Sequence, residues 1–130
     1  MAKRRTDPRP TDAELSILRI LWRRGPSTVR EVHEELSRER SIVYTTALKL
    51  LQIMTEKGLV TREESGRAHI YHPRQSEEQA QRTLVTDLVD RVFGGSAQQL
   101  VMQALTARKV SPHELAEIRK LLDQLEGGTS

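Results

Sequence analysis

The sequence predicts a mainly α fold with one small β hairpin, and three observations predict it. Ser/Thr-x-x-Glu/Gln pairs recur at Thr11/Glu14, Thr28/Glu31, Ser76/Gln79, Ser96/Gln99 and Ser111/Glu114. In such a pair each side chain satisfies a backbone donor left free at a helix start, and here each pair opens a stretch of helical apolar spacing. Between Gly58 and Pro73 the apolar period drops from about 3.6 to 2, the change from helix to strand. Helical spacing then resumes to the end of the chain.

Taken in order, the first helix is expected over Asp12 to Arg24, burying Leu15, Leu18, Leu21 and Trp22, with Gly25-Pro26 as its stop. The second runs from Val29 to Ser37 with Val32 and Leu36 inward. The third runs from Ile42 to Lys57, and Gly58 takes the left-handed position that only glycine adopts cheaply. Strands follow at Leu59 to Glu64 and Ala68 to His72, joined by Ser65-Gly66-Arg67 and ended by Pro73. Three more helices are expected over Glu77 to Phe93, Ala97 to Arg108 and Pro112 to Glu126, with Pro112 at a first helical position. The expected domains are a basic N-terminal arm over 1–10, a first domain over 11–74, a helical domain over 75–126 and a tail over 127–130.

Composition narrows the function. The chain has 130 residues, no cysteine and 3% aromatics. Thiolate chemistry, disulfides and thiolate metal sites are thereby excluded, and stacking of single-stranded bases on aromatic platforms has little to work with. No apolar run approaches the roughly 20 residues of a membrane span, and the basic start MAKRRTDPRP has no apolar segment behind it. The expected location is the cytoplasm. Residues 1–74 hold 15 Lys+Arg against 10 Asp+Glu and the remainder 6 against 8, so a net +5 precedes a net −2. That asymmetry suits a polyanion contact made by the first half.

Catalytic and cofactor motifs are missing. There is no nucleophile elbow, phosphate-binding loop or dinucleotide fingerprint. The four histidines, His33, His69, His72 and His113, have no spacing that completes a metal site. The expectation is a protein without catalytic residues, metal or cofactor.

Three helices and then a hairpin is the order of a winged helix-turn-helix, in which the third helix enters the major groove and the hairpin is the wing. At about 100° per residue, Val43, Ala47, Leu50, Leu51 and Met54 of the third helix fall on a core side. Ser41, Thr45, Leu48, Lys49 and Gln52 fall opposite, with Tyr44 and Thr46 on the flanks. Only one of the five outward residues is charged, which is unusual for a solvated face. Short hydroxyls allow close approach to a phosphate or base edge. Lys49 suits phosphate or guanine, Gln52 suits adenine, and an outward Leu48 suits a thymine methyl. Arg67 at the hairpin tip and the basic arm with Lys3, Arg4, Arg5 and Arg9 suit phosphates. Each feature also has a plain reading: Thr45 and Thr46 as helix-start residues, Leu48 as a stray exposed leucine, Arg67 as a solvated turn arginine, and the arm as a solubilising tail.

The stretches TDAELSILRILWRRGPSTVREVHEEL and VYTTALKLLQIMTEKGLVTREESGRAHIYHP, followed by LVDRVFGGSAQQLVMQAL and SPHELAEIRKLLDQL, resemble the penicillinase-repressor family (BlaI/MecI, with the copper-responsive CopY repressors as relatives). The likeness runs from Thr11 to Leu125. It implies a winged-helix domain, a helical dimerisation domain and a homodimer that blocks transcription from a pseudo-palindromic double-stranded operator. It implies base contacts at the positions of Thr45, Thr46, Leu48 and Lys49; relatives often carry a polar or basic residue where Leu48 stands. CopY-type metal control uses C-terminal cysteines, which this chain lacks. Antibiotic-responsive relatives are inactivated by cleavage in the dimerisation region under a sensor protease, at the stretch matching Gln99 to Met102.

Dimerisation is also a physical expectation. The last three helices carry apolar stripes and little to cover them. Burying Leu84, Val85, Leu88, Val89 and Val92 together with Leu115, Ile118, Leu122 and Leu125 against a second copy would supply the missing core; packing back onto the first domain is the alternative. The competing function is a helical dimeric protein–protein adaptor that does not read DNA.

Overall fold

The computed structural model describes residues 9–127. Lys3, Arg4 and Arg5 of the expected arm, and the last three residues of the expected tail, lie outside the described residues. Helices α1 (Asp12–Arg24), α2 (Val29–Ser37) and α3 (Tyr44–Lys57) are followed by strands β1 (Val60–Ser65) and β2 (Ala68–Pro73). Helices α4 (Glu77–Val92), α5 (Ala97–Ala107) and α6 (Pro112–Gly127) complete the chain. The mainly α fold with one hairpin is as the sequence predicts.

The helix starts form as the spacing dictates. Glu14 N donates to Thr11 Oγ1 at 3.2 Å while Thr11 N donates to Glu14 Oε1 at 2.9 Å. The same reciprocal bonds form at Thr28/Glu31, Ser76/Gln79 and Ser111/Glu114. At Ser96 the hydroxyl accepts from Gln99 N at 3.1 Å. Helix α3 differs: it begins at Tyr44, two residues later than expected, and its N-cap Val43 makes no side-chain cap bond. It ends on Gly58 at φ 82°, with Leu59 N bonded to Met54 O and Gly58 N to Thr55 O, the paired bonds of a Schellman stop.

The chain divides into two compact units inside α4, the first through Leu84 and the second from Val85. The functional division expected after residue 74 lies before this point. Early α4 is tied to the first unit: Ala80 is buried, and Trp22 Nε1 donates to Gln75 O at 3.0 Å.

The first unit has one core. Ile17, Leu18, Ile20 and Leu21 of α1 meet Val32 and Leu36 of α2, Ala47, Leu51 and Met54 of α3, Val60 of β1 and Tyr71 of β2. On α1 the buried stripe is therefore centred on Ile17 and Ile20, while Leu15 and Trp22 pack at its margin. The indole keeps a marginal position because its N–H needs a polar partner, which Gln75 supplies.

The hairpin pairs Val60 with Pro73 through Ser65 with Ala68, leaving Gly66-Arg67 as a two-residue turn. Gly66 has φ 63° and no described non-glycine residue has positive φ, the pattern of a turn with glycine first, whose twist suits a hairpin. Pro73 closes the ladder as its last paired residue. One bridge lies beyond the two expected strands. Ser27 exchanges both backbone bonds with Tyr71, at 3.1 and 2.8 Å, and so adds a one-residue third strand between α1 and α2.

The second unit is different in kind. None of its described residues is buried. Val85, Leu88 and Val92 of α4, Val101 and Met102 of α5, and Leu121, Leu122 and Leu125 of α6 are all exposed. Val89, Leu115 and Ile118 are half-buried, as is Leu84 at the end of the first unit.

Candidate nucleic-acid interface

The outer surface of α3 follows from its core side. Ala47, Leu51 and Met54 are fully buried and Leu50 is half-buried, so the residues about half a turn away must face out. Thr45, Lys49 and Gln52 are exposed there, with Thr46 on one flank and Ser41 exposed in the turn before the helix. Thr55 lies nearer the core and spends its hydroxyl on Leu51 O at 2.8 Å. Exposure across Tyr44, Thr45, Thr46, Lys49 and Gln52 leaves a surface of hydroxyls, an amide and one ammonium.

Two residues depart from their expected places. Leu48 is half-buried and packs against the core, because it stands only about 100° from Ala47 and so lies on the flank. It is not the fully outward leucine that the spacing suggested. Val43 was expected in the core and is 63% exposed, because it precedes the first turn of α3. With Tyr44 it forms an exposed apolar pair at the head of the helix. The missing polar cap residue before Tyr44 was the sequence signal for this.

The turn leading into α3 is held from α2. His33 Nε2 lies 2.8 Å from Ile42 O, and the imidazole meets the Tyr44 ring edge to face with centroids 5.8 Å apart. The other end of α3 is tied to α1: Lys57 Nζ sits 2.6 Å from Glu14 Oε1 and 2.8 Å from Arg9 O. Sequence reasoning missed both contacts.

The wing carries Arg67 exposed at its tip. Its base is fastened to the end of α3, where Arg74 N donates to Leu59 O at 3.0 Å. Along β1 Arg62, Glu63 and Glu64 are all exposed, and His72 Nε2 lies 2.6 Å from Glu63 Oε1 on one face. Glu63 thus has a hydrogen-bond partner within the wing.

Among the described residues no group of three or more His, Cys, Asp or Glu could hold a metal ion, and no helix is long and apolar enough to cross a membrane.

Residues 10–124 match the family described as Penicillinase repressor. The chain belongs to the penicillinase repressor family. The family is one of transcriptional repressors, not of enzymes. This repressor-family chain is 33% identical over 118 residues to the transcriptional regulator BlaI of Mycobacterium tuberculosis (strain ATCC 25618 / H37Rv), covering 90% of this chain and 85% of that protein. It is 24% identical over 117 residues to the penicillinase repressor of Bacillus licheniformis, covering 90% and 91%. The solution structure of the DNA binding domain of the repressor BlaI superposes with a TM-score of 0.50 at 27% identity, over 57% of this chain and 90% of that one. The winged-helix part of this penicillinase-repressor chain therefore has the fold of a known DNA-binding domain.

Proposed function

We propose that the protein is a cytoplasmic homodimeric repressor that reads a pseudo-palindromic operator. The domains divide the work: residues 11–74 bind DNA and residues 75–126 dimerise. In this reading α3 enters the major groove with Ser41, Tyr44, Thr45, Thr46, Lys49 and Gln52 toward the duplex. Leu48 contributes the part of its side chain left outside the core. Arg67 on the wing meets the sugar–phosphate backbone. The observation that carries the reading is the outer surface of α3 from Tyr44 to Gln52, short and hydrogen-bonding with Lys49 as its one charge, Glu56 following only in the last turn. A solvated helix of a 30% charged protein would ordinarily carry several charges there.

Dimerisation through Leu84, Val85, Leu88, Val89 and Val92 with Leu115, Ile118, Leu122 and Leu125 is supported by the second unit's lack of any buried described residue. Two helices presented by one two-fold axis fix the half-site spacing and roughly double the favourable contacts. Control by a sensor protease belongs to the same reading, with cleavage between Gln99 and Met102. Val101 and Met102 are exposed on α5, which supports access to that segment in the free subunit.

The test is salt dependence. Log affinity for a duplex should fall linearly with log salt, with a slope of about −0.9 per neutralised phosphate. Lys49→Ala should flatten the slope by about 1 if Lys49 meets phosphate, or relax one base position if it meets guanine. A protein–protein adaptor would bind duplex DNA negligibly at all salt concentrations, and that result would reject the reading.

A further inference from the structure

The body of α3 is held by burial of Ala47, Leu51 and Met54, but its first turn is not. Val43, Tyr44, Thr45 and Thr46 are all exposed. Every other helix opens on a Ser or Thr side-chain cap, and α3 opens on Val43 with none. The turn that carries three of the proposed DNA contacts therefore lacks both usual means of support. Apart from the half-buried Ile42, its support comes from one side chain on the neighbouring helix.

That side chain is His33. Its Nε2 lies 2.8 Å from Ile42 O. A backbone carbonyl only accepts, so Nε2 carries the hydrogen and donates it. The same ring meets Tyr44 edge to face at an interplanar angle of 77°. Ile42 and Tyr44 flank Val43, whose carbonyl accepts the first two amides of the helix, Thr46 N at 3.1 Å and Ala47 N at 3.2 Å. One imidazole thus grips the chain on both sides of the residue from which α3 starts.

We propose that His33 is a positioning residue for the DNA-contacting helix: through its bond to Ile42 O and its ring contact with Tyr44 it fixes the first turn of α3 before DNA arrives. This rests on the reading of α3 as the helix that meets DNA. The physical logic is preorganisation. A turn already ordered in the free protein need not be ordered at the cost of binding energy.

Two substitutions in the full-length protein separate the parts. His33→Phe keeps a ring beside Tyr44 and removes the donor. His33→Gln keeps an amide donor near the Nε2 position and removes the ring. The probe is a duplex selected by the wild-type protein from a randomised pool, and the second readout is amide exchange in the free protein. His33→Phe should weaken duplex binding about three- to tenfold, the worth of one net intramolecular hydrogen bond. It should also speed exchange at Thr46 and Ala47 while leaving Leu51 unchanged. His33→Gln should restore most of both. Unchanged exchange at Thr46 and Ala47 in the Phe variant, or a uniform change across all core amides, would overturn the proposal. Should His33→Phe fail to fold, loss of protection at Thr46 and Ala47 alone in His33→Gln would overturn the donor's role, and wild-type protection there would support it. A wild-type protein that selects no duplex would sink the DNA reading, while the exchange measurement would still decide what His33 does.

Discussion

Lys57, the last residue of α3, holds its ammonium 2.6 Å from the carboxylate of Glu14 in the first turn of α1, with the side chains only 4% and 3% exposed. The same carboxylate accepts from Thr11 N and so also serves as half of the helix cap. Removing one member of a buried ion pair leaves the other charge uncompensated, which costs more than the pair itself contributes. Lys57→Met should therefore destabilise the protein by about 3–5 kcal/mol. Glu14→Gln added to Lys57→Met should recover part of that loss, because the glutamine keeps the capping role without the charge. Urea unfolding of the two single variants and the double variant measures the coupling. Strictly additive losses would show that the pair does not act as a unit.

Val43 and Leu48 exchange the roles that the spacing of α3 suggested for them. Leu48→Ala should lower stability by about 1–2 kcal/mol, less than a fully buried leucine would, because only part of the side chain is withdrawn from water. Val43→Ala should change stability by no more than about 0.5 kcal/mol. In the proposed complex it should instead alter preference at a thymine position, since an exposed apolar side chain at the head of α3 can meet a methyl group. Thermal unfolding and duplex selection by the two variants check this pair. A large stability loss for Val43→Ala would return it to the core.

Leu122 is 53% exposed and Leu125 66% exposed in the single chain. On a solvated surface Leu122→Asp would be nearly neutral. In the proposed interface it would bury an unpaired charge, so the variant should sediment as a monomer where the wild type sediments as a dimer. Affinity for the full operator should fall with it, while affinity for an isolated half-site should hold. Analytical ultracentrifugation decides the first point and binding to the two duplexes the second. A variant that stays dimeric would move the interface elsewhere.

Much of this architecture is legible in the chain, for reasons that are local. The capping pairs at Thr11, Thr28, Ser76 and Ser111 act within four residues, and all four form as their spacing dictates. The exposure of Thr45, Lys49 and Gln52 follows from one angle per residue. What could not be read is long in sequence or short in extent. The Ser27–Tyr71 bridge is a single pair and has no periodicity. The Glu14–Lys57 bond spans 43 residues and hides behind an ordinary cap. The start of α3 is ambiguous because Ile42 and Val43 continue its apolar spacing backward, and only the missing cap tells against them. His33 looks solvated until the turn brings Ile42 O to it.

In the proposed dimer, the lack of any buried described residue in the second unit would tie its folding to abundance. A segment that gains its core only from another copy has no fixed melting point: dilution alone should loosen it, as heating would. The first unit, with a complete core, should keep its structure under the same dilution. Cells holding few copies would then contain intact heads on unstructured C-terminal segments, open to proteolysis, and repression would switch on steeply as copy number climbs.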